Sequence, residues 1–297
     1  MTLVIWSFGT TLMRLISVSS QYLLFSISFF FTFVTILMYF VITRKMRGIG
    51  FVKPFNTKFF FFGLFGYFFY IASLTNCFRA FDNASEPTIL NYTWPIFTVI
   101  FTGLFFRKKA ARPKGVRIIE AAGIAVGFIS IIILGTRGDV TSIDIANLPG
   151  LGWGLAAGAS YGLYSGFSST VKREEHGIFL LYSIFFGMIF MFAISIPEIG
   201  NISSFSGLEI LYAAIFGCCG SGLGYILWTK ANRAANEQNI DISSVASIMF
   251  FLPLTSLLVV SLLLGEGKIL KPYFAVSLAL LILSSVLCRN ASRLFKK

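Results

Sequence analysis

The stretch 91–100 reads NYTWPIFTVI and places polar and aromatic side chains, with a proline, inside an almost unbroken apolar run. Helical periodicity puts Asn91, Trp94, Pro95 and Thr98 along one stripe. Pro95 has no backbone N–H, so the carbonyl of Asn91 loses its helical partner and the helix bends. In lipid such a freed carbonyl is tolerated only where it faces protein or a water-filled cavity. The stripe predicts non-covalent binding of a small amphipathic molecule by rings, amides and freed carbonyls.

A second proline repeats this pattern later in the chain. Pro253 frees the carbonyl of Met249 in another apolar run. Two bent helices in equivalent positions predict a polar patch near the middle of a membrane. The alternative is that both prolines only shape helix packing, since proline is frequent in transmembrane helices.

Three other runs carry further candidate binding residues, namely Ser7 and Arg14, Tyr161 and Tyr164, and Tyr225 and Trp228. Arg14 either receives a substrate carboxylate or extends to lipid headgroups, as arginines near helix ends often do. The aromatic residues either line a binding site or belong to an interfacial belt. The two tyrosines of the 148–171 run lie beside a glycine every fourth residue from Gly150 to Gly166, which predicts close approach of another helix.

Other kinds of chemistry lack the residues they need. The one histidine, His176, has no partners for nucleophilic or metal chemistry, and there is no glycine-rich ATP-binding loop. The four cysteines have no metal-ligand spacing. No aspartate or glutamate lies centrally in an apolar run, which disfavours proton-coupled antiport. We therefore expect neither an enzyme nor a bound metal or cofactor.

Composition indicates the elements that position these residues. The 297-residue chain is 56% hydrophobic and 12% charged, with a mean hydropathy of +0.83, which predicts an all-α polytopic membrane protein. Ten apolar runs are expected to cross the bilayer: 1–17, 22–42, 59–78, 88–106, 118–134, 148–171, 178–196, 208–229, 242–264 and 272–287. The first is short for a crossing, so either it tilts little or the true start lies upstream. This run does not begin with basic residues, as a signal peptide does, which argues against a signal peptide.

Basic residues predict the orientation of these runs. The net charge is +12, but the lysines and arginines fall between apolar runs, which argues against nucleic-acid binding. Nineteen lie on one side of the predicted topology and five on the other. Because basic loops stay in the cytoplasm, we expect a multi-pass protein of the cell membrane (inner or plasma membrane) with both termini cytoplasmic.

Landmarks recur at a near-constant spacing, which indicates an internal duplication. Pro95 and Pro253 lie 158 positions apart, Pro113 and Pro272 lie 159 apart, and the pairs beginning at Trp6 and Tyr161 lie 155 apart. The predicted halves are 1–134 and 148–289. Each holds five crossings, an odd number, so the second half would be inverted relative to the first, as in secondary transporters.

The ten crossings, the duplication and several local strings resemble the EamA-type branch of the drug/metabolite transporter superfamily over essentially the whole chain. IWSFGTTLMR, NYTWP and GLGYILWTKANRAAN look most similar to bacterial aromatic amino acid exporters. The resemblance implies a central cavity between the halves and export without ATP. The residues of this chain that match the motif positions, and that the resemblance therefore implies as cavity residues, are Trp6, Ser7, Arg14, Asn91, Tyr92, Trp94, Pro95, Tyr225 and Trp228. One departure is the basic turn 107–109, where many relatives are acidic.

The sequence therefore predicts a secondary transporter for small metabolites, such as aromatic or other apolar amino acids, working by alternating access. Its expected partners are a small-molecule substrate and the lipid bilayer, and the chain is expected to be a monomer or a homodimer. Two alternatives remain open. One is a carrier of the same fold for a nucleotide-linked or cofactor-type metabolite, and the other is a membrane scaffold that transports nothing.

Overall fold

A computed structural model describes residues 1–14, 20–43, 55–82, 85–106, 114–172, 174–238, 240, 242–264 and 271–291. The described chain is helical, without a strand in these ranges. The helices are α1 Thr2–Arg14, α2 Gln21–Ile42, α3 Thr57–Ala80, α4 Ser85–Asn91, α5 Trp94–Phe101, α6 Lys114–Gly135, α7 Leu148–Ser168, α8 His176–Ser195, α9 207–237, α10 Ile242–Met249, α11 Leu252–Leu264 and α12 Pro272–Asn290.

Seven helical stretches are long and apolar enough to cross a membrane: α2, α3, α4 with α5, α6, α8, α9 and α12. Their outward faces carry exposed apolar side chains such as Phe61, Ile118 and Val286. Long apolar helices with an apolar outer surface indicate a membrane-embedded protein.

The remaining three predicted crossings differ from simple apolar helices in length, in hydropathy or in continuity. Helix α1 has 13 residues, and the rest of its predicted run, 15–17, lies outside the described residues. Helix α7 has 21 residues but is rich in glycine, which lowers its hydropathy. The predicted run 242–264 is divided into α10 and α11 by a turn. The ten predicted runs thus correspond to helical stretches, three of which depart from the length or hydropathy of a simple span.

Side-chain caps fix several helix starts. The Asn147 side chain accepts from the N–H of Gly150 at the start of α7. Ser206 and Glu209 form a capping box at the start of α9. Each satisfies a backbone donor that would otherwise be unpaired at a helix N-terminus.

Small residues bring α7 against the α4–α5 region, as the glycine spacing predicts. A Cβ atom at Gly154 would collide with Leu90, one at Gly158 with Thr93, and one at Gly162 with Phe97. Without a strong hydrophobic drive between helices in lipid, such close backbone approach supplies the packing contacts.

Two pairs of helices, α2 with α8 and α6 with α12, run antiparallel. Leu23, near the start of α2, donates its N–H to Glu198 just beyond α8 (3.0 Å), while Phe33 meets Phe185 with ring centroids 5.7 Å apart. Ser130 and Ser277 exchange hydrogen bonds to each other's carbonyls at 2.8 and 3.2 Å, near the end of α6 and the start of α12.

Contacts at the ends of the bundle agree with this arrangement. Cys288, near the end of α12, donates to the carbonyl of Glu120 near the start of α6 (3.7 Å). At one end of the bundle, which we call the Arg79 end, Arg79 forms an ion pair with Glu198 at 2.6 Å, and the Asn147 side chain donates to the carbonyl of Ala80 at 2.5 Å. The Arg79 end thus contains the connections that follow α3, α6 and α8.

Candidate functional site

Two helix breaks lie 158 positions apart and have the same local geometry. Helix α4 gives way to α5 at residues 92–93, and α10 gives way to α11 at 250–251. The N–H of Thr93 donates to the carbonyl of Leu90 (3.0 Å), and that of Phe251 donates to the carbonyl of Ile248 (3.2 Å). Both are three-residue turns in place of α-helical bonds. Pro95 and Pro253, which follow these turns in α5 and α11, are both buried, so neither faces lipid.

Beside the first break lies a group of rings that we call the aromatic cluster, which consists of Trp6, Tyr67, Tyr70, Trp94, Tyr161, Tyr164, Tyr225 and Trp228. These side chains come from α1, α3, α5, α7 and α9. The rings of Trp94 and Trp228 meet edge to face with centroids 5.6 Å apart, and Trp94 meets Tyr161 at 5.0 Å. These separations lie in the range of favourable aromatic pairs.

The cluster contains ring pairs related by the same chain spacing as the prolines. Tyr67 and Tyr225 are 158 positions apart and touch, with centroids 4.5 Å apart. Tyr70 and Trp228 are also 158 apart. Tyr70 packs on Tyr161 of α7 (4.8 Å), just as Trp228 packs on Trp6 of α1 (6.0 Å).

Segments of π-helix position the two touching tyrosines. Tyr67 lies within the π-helical segment Phe65–Phe69 of α3, and Tyr225 follows the π-helical segment Phe216–Leu223 of α9. Each π segment shifts the side chains that follow it around the helix, and such segments are frequent at functional sites.

Several polar atoms of the cluster are buried without a hydrogen-bond partner among the described residues. They are the hydroxyl oxygens of Tyr67, Tyr161 and Tyr164 and the indole Nε1 of Trp228. The Tyr164 hydroxyl lies near those of Tyr67, Thr229 and Ser183, but not in hydrogen-bond geometry. An unpaired buried polar group costs about 1–3 kcal/mol, so a polar ligand that paired these atoms would bind favourably.

Asn91 joins the cluster through one of its tyrosines. The Tyr70 hydroxyl donates to Asn91 Oδ1 at 3.0 Å, and the Asn91 side chain is half-buried. An amide held in this way beside rings can pair with a charged or polar group of a ligand.

Half of the twelve residues predicted from the sequence meet in this cluster. Trp6, Trp94, Tyr161, Tyr164, Tyr225 and Trp228 lie in it, and Asn91 borders it. Ser7 is fully buried and shares a hydrogen bond with Thr255 of α11 (2.7 Å), which ties α1 to α11. Tyr92 instead packs in a second apolar cluster with Ile124, Ile131 and Phe250. The side chain of Arg14 lies outside what the structure describes.

Tyr67 and Tyr70 were missed by the sequence analysis. They lie in the run FGLFGYFFY, where phenylalanine obscures any single aromatic residue. The 158-residue spacing to Tyr225 and Trp228 would have identified both.

The centre of the bundle differs from the open cavity that the family resemblance implies. Tyr67, Tyr161 and Trp94 are at most 3% exposed, and the rings of the cluster are in contact with one another. In this conformation aromatic side chains occupy the centre, so a ligand has to separate rings to enter.

Comparisons with known proteins bear on the fold. The sequence matches no protein-family model and no curated protein. Nineteen solved chains match this structure. One of them, a crystal structure, has a TM-score of 0.78 and 18% sequence identity, covering 99% of this chain and 96% of that chain. At that identity the likeness shows a shared fold alone, which extends over nearly the whole of both chains.

Proposed function

We propose that this protein is a secondary transporter that moves small amphipathic metabolites across the cell membrane by alternating access. The observation that carries the proposal is the aromatic cluster, in which Tyr67 and Tyr225 touch and the hydroxyls of Tyr67, Tyr161 and Tyr164 are unpaired in the described chain. Such a site offers apolar contact and a few polar groups, the combination that binds an amphipathic small molecule.

The proposal includes ten crossings arranged as two inverted halves, 1–134 and 148–289. Matched packing supports it: α1 packs on α9 and α11, while α7 packs on α3 and α5. The halves would place α2 opposite α8 and α6 opposite α12, and both pairs run antiparallel. The contact between Tyr67 and Tyr225 is the one expected for equivalent residues beside a two-fold axis.

Alternating access would follow from this symmetry. If the two halves exchange conformations, a site on their shared axis opens first to one side and then to the other. The touching rings represent a closed state of that site. The EamA-type branch of the drug/metabolite transporters is the family that we propose, on the motifs given above, with both termini cytoplasmic as the distribution of basic residues suggests.

Aromatic and other apolar amino acids are the proposed cargo. Eight rings provide apolar contact, and edge-to-face contact where the cargo is aromatic, and the unpaired hydroxyls and Asn91 provide partners for a charged head. Anionic nucleotide-linked cargo has less support, because Arg79 already pairs with Glu198 and Lys230 lies over the ring of Tyr39 (4.9 Å).

Uptake by purified protein in proteoliposomes, measured with a panel of radiolabelled amino acids, tests this function. Trp94→Ala and Trp228→Ala should cut uptake strongly, because each removes a ring that contacts others of the cluster. Trp153→Ala is the matched control, since that ring is 44% exposed on the outside of α7. Uptake that is unchanged in both cluster variants would remove the cluster from the transport pathway.

A further inference from the structure

A row of buried polar atoms extends from the aromatic cluster along α9 toward the end of the bundle opposite Arg79 and Glu198. Thr229 Oγ1 and both side-chain polar atoms of Asn232 have no hydrogen-bond partner in the described part of the chain. Asn232 is only 1% exposed and Thr229 is 7% exposed. Buried polar side chains are normally paired, and an amide with neither atom paired is a marked exception.

The row is continuous with the cluster and has a cation near its far end. The Thr229 hydroxyl lies near that of Tyr164. Residues three and four apart share a helix face, so Asn232 and Arg233 follow Thr229 along α9. Arg233 Nε lies 3.6 Å from a carboxylate oxygen of Glu237, and His176 is within electrostatic reach of both.

Helix α7 contributes further polar atoms of the same kind. The hydroxyls of Ser165 and Ser168 are buried without a hydrogen-bond partner among the described residues. Ser168 lies one helical turn beyond Tyr164, on the same face of α7.

The positions of Thr229 and Asn232 are polar in one half of the chain and apolar in the other. At the positions 158 residues earlier, Ile71 and Leu74 replace Thr229 and Asn232. The corresponding turn of α3 therefore forms with apolar residues at these two positions, although Leu74 is half-buried where Asn232 is fully buried. A buried polar pair without a structural partner points to a ligand.

We propose that Thr229 and Asn232 form a polar subsite that receives the ammonium and carboxylate groups of an α-amino acid, while its apolar side chain lies in the aromatic cluster. This subsite rests on the transport function proposed above. The Asn232 amide can donate to a carboxylate and accept from an ammonium group at the same time.

Intrinsic fluorescence can report binding without relying on flux. In a Trp153→Phe background the remaining tryptophans are Trp6, Trp94 and Trp228, all in the cluster. The probes are leucine, isoamylamine, which lacks the carboxylate, and 4-methylpentanoate, which lacks the amine. Because each lost hydrogen bond involves a charged group, leucine should bind at least about 10-fold more tightly than either analogue.

Matched variants then test the two residues. Asn232→Leu and Thr229→Val should bring the affinity for leucine to within about 3-fold of that for isoamylamine. Thr75→Val is the control, since Thr75 is 2% exposed and also has an unpaired hydroxyl, but lies toward the opposite end of the bundle. It should keep the preference for leucine. Asn232→Leu should also leave the unliganded Tm unchanged or raise it, because it removes an unpaired amide.

Three results would overturn the subsite. If the variants keep the preference of the parent protein for leucine, the subsite is wrong while the transport proposal stands. If Asn232→Leu lowers Tm and leaves the affinity ratio unchanged, the amide has a structural role instead. If the parent protein binds none of the probes, the amino-acid cargo class itself is wrong, and the subsite fails with it.

Discussion

Two neighbouring tyrosines should respond in opposite directions to the same chemical change. The Tyr161 hydroxyl is buried without a partner in the described chain, whereas the Tyr70 hydroxyl donates to Asn91. Their rings are 4.8 Å apart. Removing an unpaired buried hydroxyl relieves a desolvation cost of about 1–3 kcal/mol, whereas removing a paired one loses about 1 kcal/mol and deprives the acceptor. Tyr161→Phe should therefore stabilise the protein and Tyr70→Phe should destabilise it, with a gap of about 2 kcal/mol or more.

Thermal unfolding of the purified variants in one detergent, without amino acids, measures this difference. Uptake provides an independent readout, because Tyr161→Phe should reduce transport even though the protein is more stable. A rise in stability together with a loss of transport is expected where a polar group serves binding and not folding. If both variants lowered Tm to the same extent, the Tyr161 hydroxyl would have a partner, and the argument from unpaired groups would be refuted.

Two further predictions concern packing and opening. Gly158→Leu should destabilise the protein by about 1–3 kcal/mol, because the added side chain overpacks against α4–α5. Gly152→Leu is the control and should not destabilise it, since the Cβ position of Gly152 faces open space. Equal Tm values for the two variants would contradict the close approach of α7 to α4–α5. Glu198→Gln removes the charge paired with Arg79, and partly exposed pairs contribute about 0–1 kcal/mol, so Tm should change little. It should nevertheless speed labelling of a cysteine introduced at Asn91 by a reagent added from the side of the Arg79 end. An unchanged labelling rate would show that the pair does not hold that end closed.

Local chemistry made much of the fold predictable. Both helix breaks follow from a missing N–H at Pro95 and Pro253, an effect that needs no tertiary information. The glycine spacing of α7 likewise predicted a close helix contact, and the structure places α4–α5 there. In both cases the responsible atoms lie within one or two turns of the chain.

The membership of the cluster was harder to predict, because it depends on helix phase and on contacts between distant segments. Tyr92 was predicted as a site residue but packs with Ile124 and Phe250, since it lies within the turn between α4 and α5. Ser7 was predicted to line the site, but its hydroxyl shares a hydrogen bond with that of Thr255. Asn232 gave no sequence signal, because its significance comes from burial without a partner.

Alternating access is tested most directly by the distance between spin labels across each end of the bundle, with and without amino acid. After replacement of the four native cysteines, one pair of labels would be placed at Asp82 and Ile199 and another at Thr43 and Gln238, all exposed positions near opposite ends of the protein. Alternating access predicts that binding shortens one distance and lengthens the other, because each pair joins the two proposed halves across the cluster. Distances that stay fixed, or that change in the same direction at both ends, would contradict alternating access around the aromatic cluster.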